Sequence, residues 1–182
     1  MPLRAKVPIR SRVLAGLVRK NGWLSGVELG VHDGRTFSHL LKTCPDLYLT
    51  GVDLWRQWPE MEGREAEGGN TYDRWDMDKL YLRVHAIARE FPGRARILRM
   101  KTDVACSFVA DKSVDFVFID ACHLYESVKA DIENWLPKIR PGGWITGHDW
   151  EHPRFPGVTK AVTEMLGEVK AFDGHVWGKP VD

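Results

Sequence analysis

The run Val114-Asp-Phe-Val-Phe-Ile119 constrains the fold more than any other stretch of this chain. It is almost wholly apolar, β-branched or aromatic, with one acid, Asp115, near its start. Such a strand shows no alternation between a wet face and a dry one, so it belongs inside a parallel sheet covered on both sides. The next segment fits that placement. Leu124 to Leu136 carries Leu124, Val128, Ile132 and Trp135 on one helical stripe, as a helix packed on the sheet requires.

The same strand-then-helix alternation recurs along the chain. Val13, Leu14, Leu17 and Val18 have helical spacing and Gly22 ends the pattern, which predicts a helix over about 8–21. Val27 to Gly30 reads as a short strand entering a turn, and Arg35 to Thr43 as a helix closed by Pro45. Leu47 to Leu54 is a second apolar run ending near Asp53, Asp76 to Phe91 a helix, and Ala95 to Met100 a third strand. A weaker helix covers Val104 to Ala110. Pro141-Gly142-Gly143 reads as a turn before the strand Trp144-Ile-Thr146. Pro153 to Pro156 reads as a loop and Val158 to Leu166 as a helix, with strands near Val169–Phe172 and His175–Trp177. Asp173-Gly174 between those two predicts a terminal hairpin and one antiparallel strand. The fold class is therefore α/β: a Rossmann-like, doubly wound, mostly parallel sheet with helices on both faces. Residues 1–182 read as one domain. Within it, residues 56–75 are polar and Gly-rich with no apolar period, which predicts a lid-like loop.

Bulk properties narrow the function classes. A net charge of +1 gives no reason to expect nucleic acid or an anionic membrane as partner. No segment reads as a membrane span or a secretory leader. Three widely spaced cysteines, Cys44, Cys106 and Cys122, fit a reduced, cytoplasmic protein better than a disulfide scaffold. Cys122 itself reads as a small buried residue. The eight tryptophans exceed what the core needs. Trp55, Trp58, Trp75 and Trp150 fall near loops, where flat apolar surfaces can line a pocket.

Chemistry-bearing residues collect at predicted strand ends, where open α/β sheets bind ligands. Glu28-Leu-Gly-Val-His-Asp-Gly34 joins the first strand to the next helix. Gly30 and Gly34 let backbone approach a ligand, and the helix presents free N–H groups. The spacing departs from the dinucleotide fingerprint because His32 stands where the second glycine is required. Asp53 ends the second strand about 20 residues beyond the turn, where an acid can accept ribose hydroxyls. Phe118-Ile-Asp-Ala-Cys-His123 and Gly147-His-Asp-Trp150 place Asp120, His123, His148 and Asp149 at two further strand ends. Singly, Asp120 suits a helix cap and Asp149 a turn. Jointly, two acids and two histidines can bind a metal, move a proton, or both. The remaining histidines earn no role, although His152 lies near the predicted site.

With these motifs the chain resembles the class I S-adenosylmethionine-dependent methyltransferases. The resemblance implies that Glu28, with Gly30 and Gly34 in the turn, holds the methionine end of the cofactor. It implies that Asp53 binds the ribose and that Lys101-Thr-Asp103 borders the adenine, although Thr102 and Asp103 equally suit a helix cap. Val114 to Glu126 and Pro141 to Asp149 are similar to the metal-dependent small-molecule O-methyltransferases of the macrolide-sugar kind. That resemblance implies Asp120 on the cofactor side and as a metal ligand, His123 as general base, and a ligand pair at His148 and Asp149. His148 stands where an acid is usual. The ion implied is Mg²⁺ or Mn²⁺, and an imidazole at 148 favours a softer divalent ion over Mg²⁺; the alternative is that His148 holds no metal and that His123 or His148 acts as a base without one.

The implied function is methyl transfer from S-adenosylmethionine to a hydroxyl of a small molecule, assisted by a divalent metal and a histidine base. Trp55, Trp58, Tyr72 and Trp75 are the expected substrate walls. The alternative is a cofactor-binding or regulatory module whose substrate site is degenerate or completed by a second subunit. A homo-oligomer is compatible with either reading.

Overall fold

The structure is a computed structural model and describes residues 6–56 and 76–182. Val114–Ile119 is buried at every position, and its alternate side chains go to opposite sides of the sheet. Phe116 and Phe118 join one core cluster; Val117 and Ile119 join the other. This is the two-sided burial that the unbroken apolar run predicts.

The strands are β1 (Ser25–Leu29), β2 (Tyr48–Asp53), β3 (Ala95–Arg99), β4 (Val114–Ile119), β5 (Ile139–Gly147), β6 (Lys170–Phe172) and β7 (Val176–Pro180). The helices are α1 (Ile9–Asn21), α2 (Arg35–Thr43), α3 (Met77–Arg89), α4 (Thr102–Ala105), α5 (Tyr125–Trp135) and α6 (Pro156–Leu166). The sheet order is β3-β2-β1-β4-β5-β7-β6. β1 to β5 run parallel, and β7 lies antiparallel between β5 and β6. Residues of α1, α2 and α3 supply the helical part of one core; those of α5 and α6 supply the other. The order reverses between β1 and β4, so the helices that follow these two strands leave toward opposite faces and a crevice opens between them.

Three local differences from the sequence reading have physical causes. Pro141-Gly142-Gly143 lies within β5 rather than forming a separate turn. The β4–β5 register steps from Val114↔Ile139 to Phe116↔Trp144, so the strand bulges there. Backbone bonds between Gly142 or Gly143 and Val181 hold the bulge. The predicted Val104–Ala110 helix begins earlier, at Thr102, and tightens into a 3₁₀ turn over Cys106–Phe108, where Cys106 Sγ and Ser107 Oγ donate back to the Asp103 and Val104 carbonyls. Pro156, read as loop, is the first residue of α6, the position that its fixed φ suits. The expected lid, apart from Arg56, lies outside the described residues, as do Trp58, Tyr72 and Trp75. Among the described residues, no helix is long and apolar enough to cross a membrane.

The acid in β4 explains how the central strands are aligned. Asp115 Oδ2 accepts from the backbone N–H of Leu24 at 2.7 Å and of Ser25 at 2.8 Å. Its Oδ1 pairs with Arg140 Nε at 3.2 Å. One side chain thus ties the start of β1 and the β5 bulge to β4. Asp115→Ala strands two backbone donors and is expected to cost about 2–3 kcal/mol, read as a lowered urea midpoint with an unchanged m-value.

Candidate active site

Ladder bonds continue past the strand ends and set the chain's path there. Gly30 N–H donates to the Val52 carbonyl at 2.8 Å, Asp120 N–H to Leu29 at 2.9 Å, and His148 N–H to Ile119 at 3.0 Å. Gly30 has φ +85°, and a Cβ built on it would lie 2.1 Å from the Asp120 carbonyl oxygen. Only glycine fits that combination of left-handed backbone and close approach. Gly30 also lines a cavity at the strand ends. Gly34 has a different place: φ +78°, with its α-carbon facing Val84 and Ile87 of α3 at 3.0 and 3.1 Å from a notional Cβ. It is not among the cavity's lining residues, and what it permits is helix packing.

That cavity has a volume of about 280 Å³ and is lined by Gly30, Asp53, Thr102, Asp103, Ala121 and Asp131, among others. Asp53 is held by its surroundings: His32 N–H donates to Oδ2 and Trp55 N–H to Oδ1, each at 2.8 Å. Burial raises its pKa against the pull of those two N–H groups. Each carboxylate oxygen keeps a second lone pair for a ligand hydroxyl. Glu28 is only 1% exposed, and its Oε2 has no hydrogen-bond partner among the described residues. Its pKa stands well above the usual range, first through burial and then through the charge of Asp120.

The four residues from the two later strand ends converge. His123 Nε2 lies 2.8 Å from Asp149 Oδ2 and 3.7 Å from Asp120 Oδ1. His148 Nδ1 lies 3.1 Å from Asp149 Oδ2 and 3.4 Å from Asp120 Oδ1. Burial opposes charge on both rings, but the two carboxylates outweigh it and push each histidine up to about 9. Burial likewise opposes ionisation of Asp120 and Asp149, yet the histidines keep both below the usual carboxylate range. Asp149 has φ +61°, a left-handed conformation that Asp tolerates better than most residues. The His123 ring stacks on Phe155 with centroids 4.2 Å apart. Ligand atoms of Asp120, His123 and Asp149 all lie within 4.8 Å of one another; His148 stands beside this group.

Several neighbours were not legible as site residues. Arg10 of α1 places Nε 3.0 Å from Asp120 Oδ2; nothing in the basic pattern of the amino-terminal segment singles it out. His32 acts through its backbone, donating to Asp53 and accepting from Trp55 Nε1 at 2.9 Å. Trp55, expected as a pocket wall, is 1% exposed and belongs to the core. Cys122, expected to be buried, is partly exposed and lines the cavity. Asp131 was detectable in principle, because it shares a helical stripe with Val128, Ile132 and Trp135, all of which are buried with it.

A family model described as a methyltransferase domain matches residues 27–150. The chain belongs to that methyltransferase family, and its fold is the class I, S-adenosylmethionine-dependent methyltransferase fold. The structure of CalS11, a calicheamicin methyltransferase, superposes with a TM-score of 0.71 at 15% identity, covering 94% of this chain and 79% of that one. An O-methyltransferase from Bacillus cereus in complex with S-adenosylhomocysteine gives 0.64 at 15% identity, over 99% and 84%. A putative caffeoyl-CoA O-methyltransferase from Staphylococcus aureus gives 0.65 at 15% identity, over 94% and 84%. By sequence, an uncharacterized protein, y4gI, of Sinorhizobium fredii (strain NBRC 101917 / NGR234) is 31% identical over 129 residues. That match takes in 69% of this chain but 13% of the relative, so the chain spans a small part of the curated protein it matches.

Asp131 supplies a pH test of the cavity's electrostatics. Burial, with the Asp103 charge adding to it and the Thr102 side chain opposing, raises its pKa from 3.8 to about 7. Because the folded value lies above the unfolded one, its contribution to stability is full below about pH 4 and is lost as pH rises through about 7. Asp131→Asn cannot ionise. Its stability relative to the parent protein should therefore climb between pH 4 and 7, with a slope approaching about 1.4 kcal/mol per pH unit, measured by urea unfolding across that range.

Proposed function

We propose that this protein transfers a methyl group from S-adenosylmethionine to a hydroxyl of a small molecule, with a divalent cation at Asp120 and Asp149 and His123 as general base. One observation carries the reading: the cavity that Asp53 lines is also lined by Ala121 and Cys122, the two residues between Asp120 and His123 in the chain, so it ends beside the acid–histidine cluster.

The residues present fit both groups. Glu28 has a buried oxygen with no partner among the described residues, near Asp53 and Asp120, suited to a cationic or N–H-bearing ligand end. Asp120 and Asp149 offer two carboxylate oxygens within reach of one ion, and His123, which stands in the same group, is reserved for proton transfer and not for ligation. Two carboxylates balanced by two imidazolium protons carry the same charge as two carboxylates balanced by one divalent ion. With His148 Nδ1 beside the same carboxylates, the donor set suits Mn²⁺ or a softer ion better than Mg²⁺. When bound, the cofactor supplies an electrophilic methyl and the ion a positive charge that eases deprotonation of the acceptor hydroxyl.

The chain's own residues do the rest. Asp53 binds the ribose hydroxyls from a carboxylate already oriented by two backbone N–H groups. Gly30 lets the ends of β1 and β4 pack together beside the cofactor cavity, where any side chain would collide with the Asp120 backbone. Asp149 and the Phe155 ring hold His123 in one orientation; once the ring has given up the proton it shares with Asp149, it would serve as the base toward the acceptor hydroxyl with little reorganisation. The small-molecule acceptor lies on the side of Phe155 and His152, whose rings stack at 4.9 Å. No nucleic acid or membrane partner enters this scheme, and it runs in a cytoplasmic protein, monomeric or homo-oligomeric.

Calorimetry with S-adenosylhomocysteine and with NAD tests the cofactor; binding of NAD alone would overturn the reading. His123→Ala is expected to lower kcat by about 10²–10⁴-fold while the affinity for S-adenosylhomocysteine stays within about threefold. Asp149→Ala is expected to abolish Mn²⁺ binding seen calorimetrically in the parent protein; equal Mn²⁺ affinity in the two would exclude the metal role. Cofactor binding without turnover on any hydroxylated acceptor would favour a regulatory module.

A further inference from the structure

Asp131 is a buried acid with no part in the chemistry described so far. It lies on the apolar stripe of α5, is 3% exposed, and lines the cavity together with Ala130, Thr102 and Asp103. A carboxyl in such a place is costly unless a partner repays its desolvation. The Thr102 side chain is a single partner, and the Asp103 charge counts against it. Lys101, Asp53, Glu126 and Arg56 line the same cavity. The geometry thus leaves a carboxyl beside a space of about 280 Å³, at the end where α4 meets α5.

A carboxyl that carries its proton has one donor and one acceptor side by side, the same pattern as an asparagine amide. Asparagine is the side chain that pairs bidentately with adenine, taking a hydrogen bond from the exocyclic amine and giving one to the adjacent ring nitrogen. We propose that Asp131 reads the base of the bound cofactor in this way, its carbonyl oxygen accepting from adenine N6–H and its hydroxyl donating to N7. Asp131 is then a specificity-determining residue that favours adenine over hypoxanthine, which shows two acceptors, O6 and N7, on that edge and leaves the carbonyl oxygen of Asp131 without a donor. The elevated pKa of the group, about 7, supplies the protonated form near neutrality. This inference rests on the cavity being the cofactor site.

The test is calorimetric titration of the full chain with S-adenosylhomocysteine and with S-inosylhomocysteine, for the parent protein, D131N and D131L. The parent should prefer the adenine ligand by about tenfold or more, the range one bidentate pair provides. D131N should keep that preference within about threefold. D131L should lose tenfold or more toward S-adenosylhomocysteine and little toward the inosine analogue, so that the ratio collapses. If D131L does not fold, as judged by circular dichroism, D131S replaces it, since a hydroxymethyl cannot span both edge atoms. Equal losses toward both ligands would make Asp131 a structural tether of α5 to α4 and overturn the inference, as would an unchanged ratio in D131L. Tight binding of both ligands by the parent without preference would overturn the inference and leave the cofactor reading intact. Failure of the parent to bind either ligand would overturn both.

Discussion

The close approach of Gly30 to the Asp120 carbonyl is the constraint on which the rest of the site depends. It occurs where β1 and β4, neighbours in the sheet, send their following helices to opposite faces. The missing side chain lets the two strand ends stay paired to their last residues. With the pairing intact, Asp120 emerges at a fixed height above the sheet, and His123, three residues later, is carried back toward Asp149. A wider turn after β1 would move the cavity floor and the acid–histidine cluster apart.

Charge balance is the second organising force. Two carboxylates in a mostly buried cluster cannot stand alone, and this chain surrounds them with His123, His148 and the Arg10 guanidinium. Arg10 takes Oδ2 of Asp120, so Oδ1 is the oxygen that faces the histidines. The amino-terminal helix thereby does more than cover the sheet, because it divides the two oxygens of one acid between two tasks. The aromatic ring of Phe155, brought in just before α6, closes the remaining side of His123.

Much of this was legible in the sequence because period and strand-end position carry it. The run at Val114–Ile119, the Leu124/Val128/Ile132/Trp135 stripe and the Asp173-Gly174 hairpin each follow from local rules, and the structure matches them. So does the gathering of Asp120, His123, His148 and Asp149, since strand ends of a parallel sheet must face one edge. What escaped depends on contacts between distant parts of the chain. Arg10 meets Asp120 across 110 positions, and no local pattern encodes that meeting. Trp55 turns inward because its indole N–H finds the His32 carbonyl. Gly34 serves packing rather than ligand approach because α3 crosses it. Asp131 left a local trace, a polar residue on an apolar stripe, which only the cavity beside it makes meaningful.

The left-handed backbone at Asp149 has a consequence for which chemistries this scaffold can host. Asp, Asn and Gly accept φ near +60° at the least cost and a β-branched side chain at the greatest; elsewhere this chain also holds Glu151 and His175 there. His148 is not among the residues with positive φ and carries no such restriction. Of two adjacent positions beside Asp120, one is therefore the more restricted in residue type and the other is open to exchange. A single replacement at 148 can change which polar group faces Asp120 while the Asp149 carboxylate stays where it is.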